Sequence, residues 1–166
     1  MSDFWNGQAT MKILDPNITA CREKRELFRQ YKETEAILDF TQGLDIRLID
    51  DDDIADLSEM RLGGIHFAWD NPKEDLRDKF AYYAKHGKTN RNGHFGTVYV
   101  LTNFNSSLEE DLYRIYTLRE LGYNPFVMIY NKPSAPKKIR HLQRWCNTFV
   151  IIGASPRFED YDPKKG

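Results

Sequence analysis

The 166-residue sequence lacks the features that would place it in several common classes of protein. It has only two cysteines, Cys21 and Cys146, and no second thiol follows either of them at short spacing, which excludes a disulfide framework and a CxxC metal site. It has no run of roughly 18 apolar residues and no apolar segment of signal-peptide length after Met1. We therefore expect a soluble protein of the reducing cytoplasm, with no membrane partner.

The sequence also lacks the short motifs of the best-known nucleotide, hydrolase and zinc sites. GxGxxG, GxxxxGK[ST], GxSxG and HExxH do not occur. The four histidines show no spacing typical of metal ligands, and His66, inside an apolar run, is predicted to be a satisfied core or rim residue. The formal net charge of −1 gives no electrostatic reason to expect nucleic acid as a partner.

The composition that remains is that of a folded domain. With 40% hydrophobic and 13% aromatic residues, the chain is not disordered. Its length fits one domain but is short of the roughly 250 residues of a complete eight-stranded barrel. We divide it into a lead-in linker over residues 1–10, with Phe4 and Trp5 expected to pack on the body, a body over 11–155 and a polar tail over 156–166.

Short apolar runs alternate with amphipathic segments along the body. The predicted strands are Met11–Leu14, the run from Ile37, Ile65–Trp69, Thr97–Thr102 and Phe126–Tyr130, with Phe149–Ile152 as a further short strand. Helices are predicted between them, and the second is expected to end at Gly63–Gly64. Because the connections are too short for anything but helical crossovers, the pattern predicts an α/β fold with about five parallel strands and outer helices.

Polar residues follow each predicted strand, and the carboxyl ends of parallel strands share one edge of a sheet, where ligands bind. The candidate site residues are Asp15, Asn17, Gln42, Asp45, Arg47, Asp70, Asn103 and Asn105, with Asn131 and Lys132 after the predicted strand Phe126–Tyr130. Turns also favour Asp and Asn, so turn chemistry is an alternative for any single position. Gln42, Asp45 and Arg47 are stronger candidates, because an arginine beside a carboxylate is more than turn chemistry.

Two charged runs of the sequence each have a structural explanation, with ligand or metal binding as the alternative. The acidic run Asp50–Asp53 is predicted to stabilise a helix N-terminus, with a metal site as the alternative. The basic turn Lys88–Gly93 is predicted to be a solvated loop, with phosphate contact as the alternative.

Several segments in order closely resemble the C-terminal half of radical SAM proteins. They are Asp15–Ile18, Asp39–Arg47, His66–Asp70 and Tyr99–Asn105, followed by Glu110–Tyr116, Val127–Tyr130 and Leu142–Trp145. The resemblance covers about Phe4 to about Tyr161. It implies a partial (βα) barrel that holds S-adenosylmethionine (SAM) on its rim. It also implies that Gln42, Asp45 and Arg47 belong to the ligand site, where the family often places polar contacts to the SAM ribose and carboxylate.

The chain departs from this family at the metal centre. The family holds a [4Fe–4S] cluster with three thiolates of a C-x3-C-x2-C loop after the first strand, and this chain has only Cys21 and Cys146. The resemblance therefore implies an incomplete radical SAM protein, inactive alone, whose cluster and first strands come from a missing N-terminal half. The strand at Met11–Leu14 would then lack a neighbour and expose unpaired backbone groups to another chain.

Two other interpretations stay open. The first is a non-enzymatic half-barrel that binds a nucleotide-like ligand or a protein partner. The second, a flavodoxin-like nucleotide binder, needs a phosphate-cradling loop after the first strand. Asp15-Pro16-Asn17 is a poor candidate for that loop, because proline offers no amide and the carboxylate repels phosphate.

Overall fold

The computed structural model describes residues 5–164, which form a five-stranded sheet in which all neighbouring strands are parallel. The strands are β1 (Thr10–Lys12), β2 (Ile37–Phe40), β3 (Leu62–Ala68), β4 (Thr97–Thr102) and β5 (Asn124–Ile129). They lie in the order β1-β2-β3-β4-β5, so strands adjacent in sequence are adjacent in the sheet. The prediction of an α/β fold with parallel strands alternating with helices is confirmed.

A helix follows each strand. The helices are α1 (Lys24–Lys32), α2 (Asp51–Glu59), α3 (Arg77–His86), α4 (Leu108–Glu120), α5 (Lys137–Asn147) and α6 (Phe149–Ala154). Reciprocal side-chain bonds to backbone N–H groups begin α2 at Asp50 and α4 at Ser107, as expected for capping boxes. The cap predicted for the acidic run is therefore present. None of the helices within residues 5–164 combines the length and hydropathy that a bilayer crossing requires.

The helices pack on one face of the sheet. Strand residues on that face, such as Phe40, Phe67 and Val100, are almost completely buried against aromatic and aliphatic side chains of the helices. Phe67, for example, meets the ring of Phe80 of α3 edge-on at 5.9 Å between centroids. On the opposite face the strand residues are half-buried or exposed, and we call this the open face. Its central members are Asp39, His66, Tyr99, Phe126 and Met128.

The two edges of the sheet differ, beginning with β5. On its outer edge, the side-chain oxygen of Asn147 accepts a hydrogen bond from the backbone N–H of Val127 at 2.8 Å. The amides of Asn147 and Gln143 donate to the Val127 carbonyl, both at 3.0 Å. Pro125 has no N–H to offer. Side chains of α5 thus occupy the edge that another strand would need.

The edge at β1 is open. Ile37 donates to the carbonyl of Ala9, and Ile13 donates to the carbonyl of Asp39, so alternate residues of β1 pair with β2. The backbone groups of Thr10 and Lys12 point away from β2, and no described residue outside this ladder bonds to them. Unpaired backbone groups on an exposed edge are available to another chain.

Two predicted element assignments were wrong. Phe149–Ile152 begins α6 instead of forming a strand, because Asn147 and Gln143 close the β5 edge where a sixth strand would pair. An apolar run this short does not distinguish helix from strand by its periodicity. Gly63 and Gly64 lie inside β3, and α2 ends before them. A Cβ at Gly64 would lie 2.5 Å from a carboxylate oxygen of Asp39, so a larger residue at this strand position would displace the Asp39 side chain.

The chain ends also contact the body. Trp5 packs against the main core, as predicted, and Phe4 lies outside the described residues. In the segment predicted to be a polar tail, Phe158 packs on Trp145, with ring centroids 5.5 Å apart.

The one-sided packing predicts different costs for truncating neighbouring residues of β5. Val127 is 0% exposed and Met128 is 46% exposed on the opposite face. We expect Val127→Ala to lower the free energy of unfolding by about 2 kcal/mol, through lost burial and a cavity. Met128→Ala removes more atoms yet should cost only about 0.5 kcal/mol. Urea unfolding of both variants measures this, and an equal or larger loss for Met128→Ala would contradict one-sided packing.

Candidate functional site

A cavity of about 270 Å³ opens at the carboxyl edge of the sheet, above β1, β2 and β3. Five of the predicted site residues line it: Asn17, Gln42, Asp45, Arg47 and Asp70. They come from three loops far apart in sequence, and parallel pairing brings the loops together at one edge. Further lining residues, which sequence reasoning did not single out, include Phe67, Ala68, Glu74 and Tyr99.

The loop after β2 is folded down onto β3. Gly43 has φ +96°, and a Cβ there would lie 3.2 Å from the carbonyl oxygen of His66, so glycine suits both the conformation and the close approach. Leu44 N–H donates to the same carbonyl at 2.8 Å. Asp45 N–H donates to the hydroxyl of Thr19 at 2.9 Å, which ties this loop to the loop after β1. The positions of Gln42 and Asp45 are therefore set by backbone contacts.

Asp45 and Arg47 form a two-pronged ion pair on the rim. Arg47 Nε donates to Asp45 Oδ1 at 2.8 Å, and Nη2 donates to Oδ2 at 2.7 Å. The hydrogen bonds from Arg47 hold the pKa of Asp45 below its usual range, although partial burial acts in the other direction. Arg47 Nη1 also lies 3.5 Å from Glu74, and the Arg47 side chain is 53% exposed. This guanidinium is thus oriented by carboxylates while it still faces solvent.

Asp70 ends the rim on the β3 side. Removal of its carboxyl from water raises its pKa, while a backbone hydrogen bond at Leu101 and the charge of Arg114 act against the rise. Its backbone carbonyl accepts from Arg114 at 3.2 Å. This carboxyl can accept hydrogen bonds from ligand hydroxyl or ammonium groups.

Arg114 of α4 is a buried residue that holds the ends of β3 and β4 in place. It was not predicted from the sequence. Its Nη1 donates to the carbonyl of Trp69 at 2.6 Å, and Nη2 donates to Leu101 at 2.9 Å and to the carboxylate of Asp111 at 2.6 Å. The pair of side chains is 1% and 0% exposed. One guanidinium therefore joins the ends of β3 and β4 to α4. The sequence signal that could have identified Arg114 is its i, i+3 spacing from Asp111 on the helix face that also carries Ile115.

Five predicted site residues do not line the cavity: Asp15, Asn103, Asn105, Asn131 and Lys132. The Asp15 carboxylate accepts from the N–H of Asn17 at 2.9 Å, which is turn chemistry. Asn103 has φ +60°, and its amide donates to the carbonyl of Tyr130 at 2.9 Å. Asp15 and Asn103 thus support loops at the same edge of the sheet.

The thiols and the acidic run form no metal centre in the described structure. Cys146 is buried under the helices, where burial raises its thiol pKa to about 12. Cys21 lies before α1 with its sulfur 3.5 Å from Glu23. In the acidic run, Asp53 is buried and bonds Lys24 at 2.8 Å. Within residues 5–164 no group of three or more His, Cys, Asp or Glu side chains could hold a metal ion.

The basic turn Lys88–Gly93 also makes structural contacts. Lys88 Nζ donates to the carbonyls of Ser58 and Met60, both at 3.1 Å, at the end of α2. None of the residues that line the rim cavity comes from this turn.

The chain matches no protein-family model, no curated protein and no solved structure. Its function therefore has to follow from its own residues and their geometry.

The Asp45–Arg47 pair predicts a pH dependence. Replacing Arg47 by Met removes the guanidinium donors but keeps the backbone N–H at this position, so the Asp45 pKa should rise towards its ordinary range, which a carboxyl-carbon NMR titration measures. Because the folded-state pKa of Asp45 is lowered, its stabilising effect is present above the unfolded-state pKa and is lost as pH falls through the folded value. Wild type should thus exceed Arg47→Met in stability near neutral pH, and the difference should vanish in acid. An unchanged Asp45 titration would refute the role of Arg47.

Arg114 predicts a large loss of stability. Arg114→Met leaves the buried Asp111 unpaired and frees two strand-end carbonyls, so we expect unfolding to become easier by about 3 to 5 kcal/mol. The double variant Arg114→Met/Asp111→Leu should recover part of this loss, because no buried charge remains. Arg140→Met, on the exposed side of α5, is the matched control and should change stability by about 0.5 kcal/mol or less. Denaturant unfolding measures the stability of the three variants. Similar stabilities for Arg114→Met and Arg140→Met would show that Arg114 does not hold the strand ends in place.

Proposed function

We propose that this chain is the C-terminal part of a radical SAM barrel, contributing part of the SAM and substrate rim to an enzyme whose cluster lies on another half. The single observation that carries the proposal is the rim cavity, where Asn17, Gln42, Asp45, Arg47 and Asp70 converge. These residues lie within or next to the segments that resemble the family.

The strand order supports a partial (βα) barrel. Consecutive parallel strands with helices on one face are the arrangement from which a barrel is built. A flavodoxin-like sheet has the order 2-1-3-4-5 and places helices on both faces, with its ligand at the point of reversal. This sheet has no such reversal, which disfavours the flavodoxin-like interpretation.

The donor set of the cavity fits parts of SAM. Carboxylates such as Asp70 and Glu74 can accept hydrogen bonds from ribose hydroxyls and an ammonium group. The exposed guanidinium of Arg47 can donate to the methionyl carboxylate while it keeps its bonds to Asp45. At about 270 Å³ the cavity is smaller than the roughly 300–1,000 Å³ typical of complete ligand sites. The size fits a rim that holds one portion of the ligand.

The [4Fe–4S] cluster does not fit this chain. Such a cluster needs closely spaced thiolates, and Cys21 and Cys146 are the only two cysteines of the sequence. Cys146 lies on α5, and its buried sulfur donates to the carbonyl of Pro125 at 3.4 Å. We therefore derive no radical step from these residues and assign the cluster to a separate N-terminal half.

The edges of the sheet indicate where that half would join. At the edge formed by Thr10 and Lys12, no described residue outside the β1–β2 ladder bonds the backbone groups, whereas side chains of α5 occupy the edge at Val127. A strand from the partner can thus extend the sheet at β1.

A second candidate function is a non-enzymatic binding module. The Asp45–Arg47 pair and its backbone supports are complete within this chain alone. A preformed rim of this kind can bind a ligand without any cluster.

The proposal predicts a complex with the polypeptide encoded immediately upstream. Anaerobic co-expression of the two should yield a brown, soluble heteromeric complex that binds SAM, and Arg47→Ala in this chain should weaken SAM binding at least about tenfold. Isothermal titration of the purified complex measures the affinity. A colourless, well-folded monomer from the co-expression would contradict the proposal and favour the binding module.

The β1 edge offers a matched pair of variants for that complex. Lys12→Pro removes an outward N–H that no described residue uses, so it should prevent assembly while this chain still folds, as judged by circular dichroism. Lys12→Ala keeps the N–H and should assemble normally. Assembly of Lys12→Pro to the same extent as Lys12→Ala would show that the partner does not pair at β1.

A further inference from the structure

The charges of the chain are unevenly distributed, and its C-terminal part is basic. Residues 121–158 contain six lysines and arginines and no aspartate or glutamate, although the whole chain has a formal net charge of −1. The six are Lys132, Lys137, Lys138, Arg140, Arg144 and Arg157. All but Arg157 lie on α5 or in the turn that leads into it from β5. A net charge close to zero thus conceals a surface of one sign, which attracts anions.

A groove with a cavity volume of about 510 Å³ lies between β5 and α5 at the outer edge of the sheet. Its lining residues are Phe126, Lys132, Arg140, Gln143, Arg144 and Asn147. Gln143 and Asn147 are held in place by their hydrogen bonds to the backbone of Val127. Three of the six lining residues are cations and none is a carboxylate. The groove therefore suits an anionic ligand.

Two of the cations that line the groove are not neutralised by the described part of the chain. Lys132 and Arg140 are exposed, and their side chains form no ion pair or hydrogen bond with any residue in 5–164. The cations of α1 differ, because Arg25 and Lys32 bond carboxylates of α2. Lys132 and Arg140 can therefore donate to an anion without giving up a bond to a described residue.

A row of exposed aromatic and apolar side chains begins at the groove. Phe126 and Met128 of the open face and Tyr130, just after β5, are all exposed. The ring of Phe104, which is also exposed, lies 4.8 Å from the ring of Tyr130 between centroids. We call these four side chains the aromatic row. Because Phe126 belongs both to the row and to the groove, exposed rings and cations meet there.

The combination of cations and exposed rings distinguishes between anionic ligands. In single-stranded nucleic acid the phosphates follow a basic groove, and the flat faces of unpaired bases stack on aromatic side chains. In a duplex the bases already stack on one another, so the aromatic row would gain no partner. An acidic peptide offers charge for Lys132 and Arg140 but no series of flat rings. The surface thus favours a single strand.

We propose that the groove between β5 and α5, with the aromatic row beside it, binds single-stranded nucleic acid. Lys132 and Arg140 donate to phosphates, and Phe126 and Tyr130 stack on bases. This site goes beyond the proposed function, because it lies at the edge of the sheet opposite β1 and requires neither SAM nor a partner chain.

The experiment uses the full chain and a fluorescein-labelled oligouridylate of about 12 nucleotides, with binding followed by fluorescence anisotropy. Raising KCl from about 50 mM to about 200 mM should weaken binding roughly five- to twentyfold, as expected when two or three phosphates are neutralised. Lys132→Ala/Arg140→Ala should weaken binding at least about tenfold at the lower salt concentration. Phe126→Ala should weaken it at least about fivefold through lost stacking.

Matched controls separate this site from general attraction between charges. Lys79→Ala/Lys85→Ala removes two exposed cations of α3, and Tyr82→Ala removes an exposed ring of the same helix. Each should change the affinity less than about twofold. Arg47→Ala disrupts the proposed SAM rim but not the groove, so oligouridylate binding should persist even if the SAM proposal fails.

Two further ligands test the role of unpaired bases. A duplex RNA of the same length should bind at least about fivefold more weakly than the oligouridylate. Inorganic polyphosphate has no bases, so Phe126→Ala should leave its binding unchanged. No anisotropy change at about 50 mM KCl, an equal loss in the α3 lysine variant, unchanged oligouridylate binding in Phe126→Ala, or equal affinity for the duplex would each overturn the proposal.

Discussion

Five parallel strands in consecutive order impose the constraint on which the rest of this structure depends. Each right-handed crossover returns the chain on the same side of the sheet, so the helices accumulate on one face. That face buries Phe40 and Phe67 in one hydrophobic cluster and Val127 in a second. The other face has no cover within the described residues, which leaves Tyr99 and Met128 partly in solvent. The rim, the open face and the β1 edge, which is unpaired within residues 5–164, all follow from this arrangement.

Two arginines near the carboxyl edge have different roles because their environments differ. Arg114 is buried, its hydrogen bonds go to carbonyls at the strand ends and to Asp111, and it fixes the positions from which the rim loops start. Arg47 is half exposed and oriented by Asp45 and Glu74, so it can donate to a ligand. A preformed binding site requires strand ends held in fixed positions and an oriented side chain that can reach the ligand. Arg114 provides the first and Arg47 the second.

The sequence predicted those parts of the fold that depend on local patterns. The bounds of Thr97–Thr102 were predicted to the residue, because a run of β-branched and aromatic residues is flanked by Gly96 and Asn103, which favour turns. The convergence of Gln42, Asp45 and Asp70 was predictable because parallel strands share a carboxyl edge. The helical state of Phe149–Ile152 was not, since it depends on side chains that close a distant strand edge. The place of Gly63 and Gly64 inside β3 also escaped prediction, because two glycines after a helical pattern are locally typical of a helix end.

The most direct test of the account is hydroxyl-radical footprinting of the isolated chain, read out residue by residue with mass spectrometry. Met128 and Met60 form a matched pair of one residue type, 46% and 2% exposed, on the open face and in the covered core. Phe126 and Phe67 form a second pair, 37% and 1% exposed. A sheet covered on one face predicts rapid oxidation of Met128 and Phe126 with protection of Met60 and Phe67. Equal protection within both pairs would show that the second face is covered, and the one-sided sheet would then be wrong.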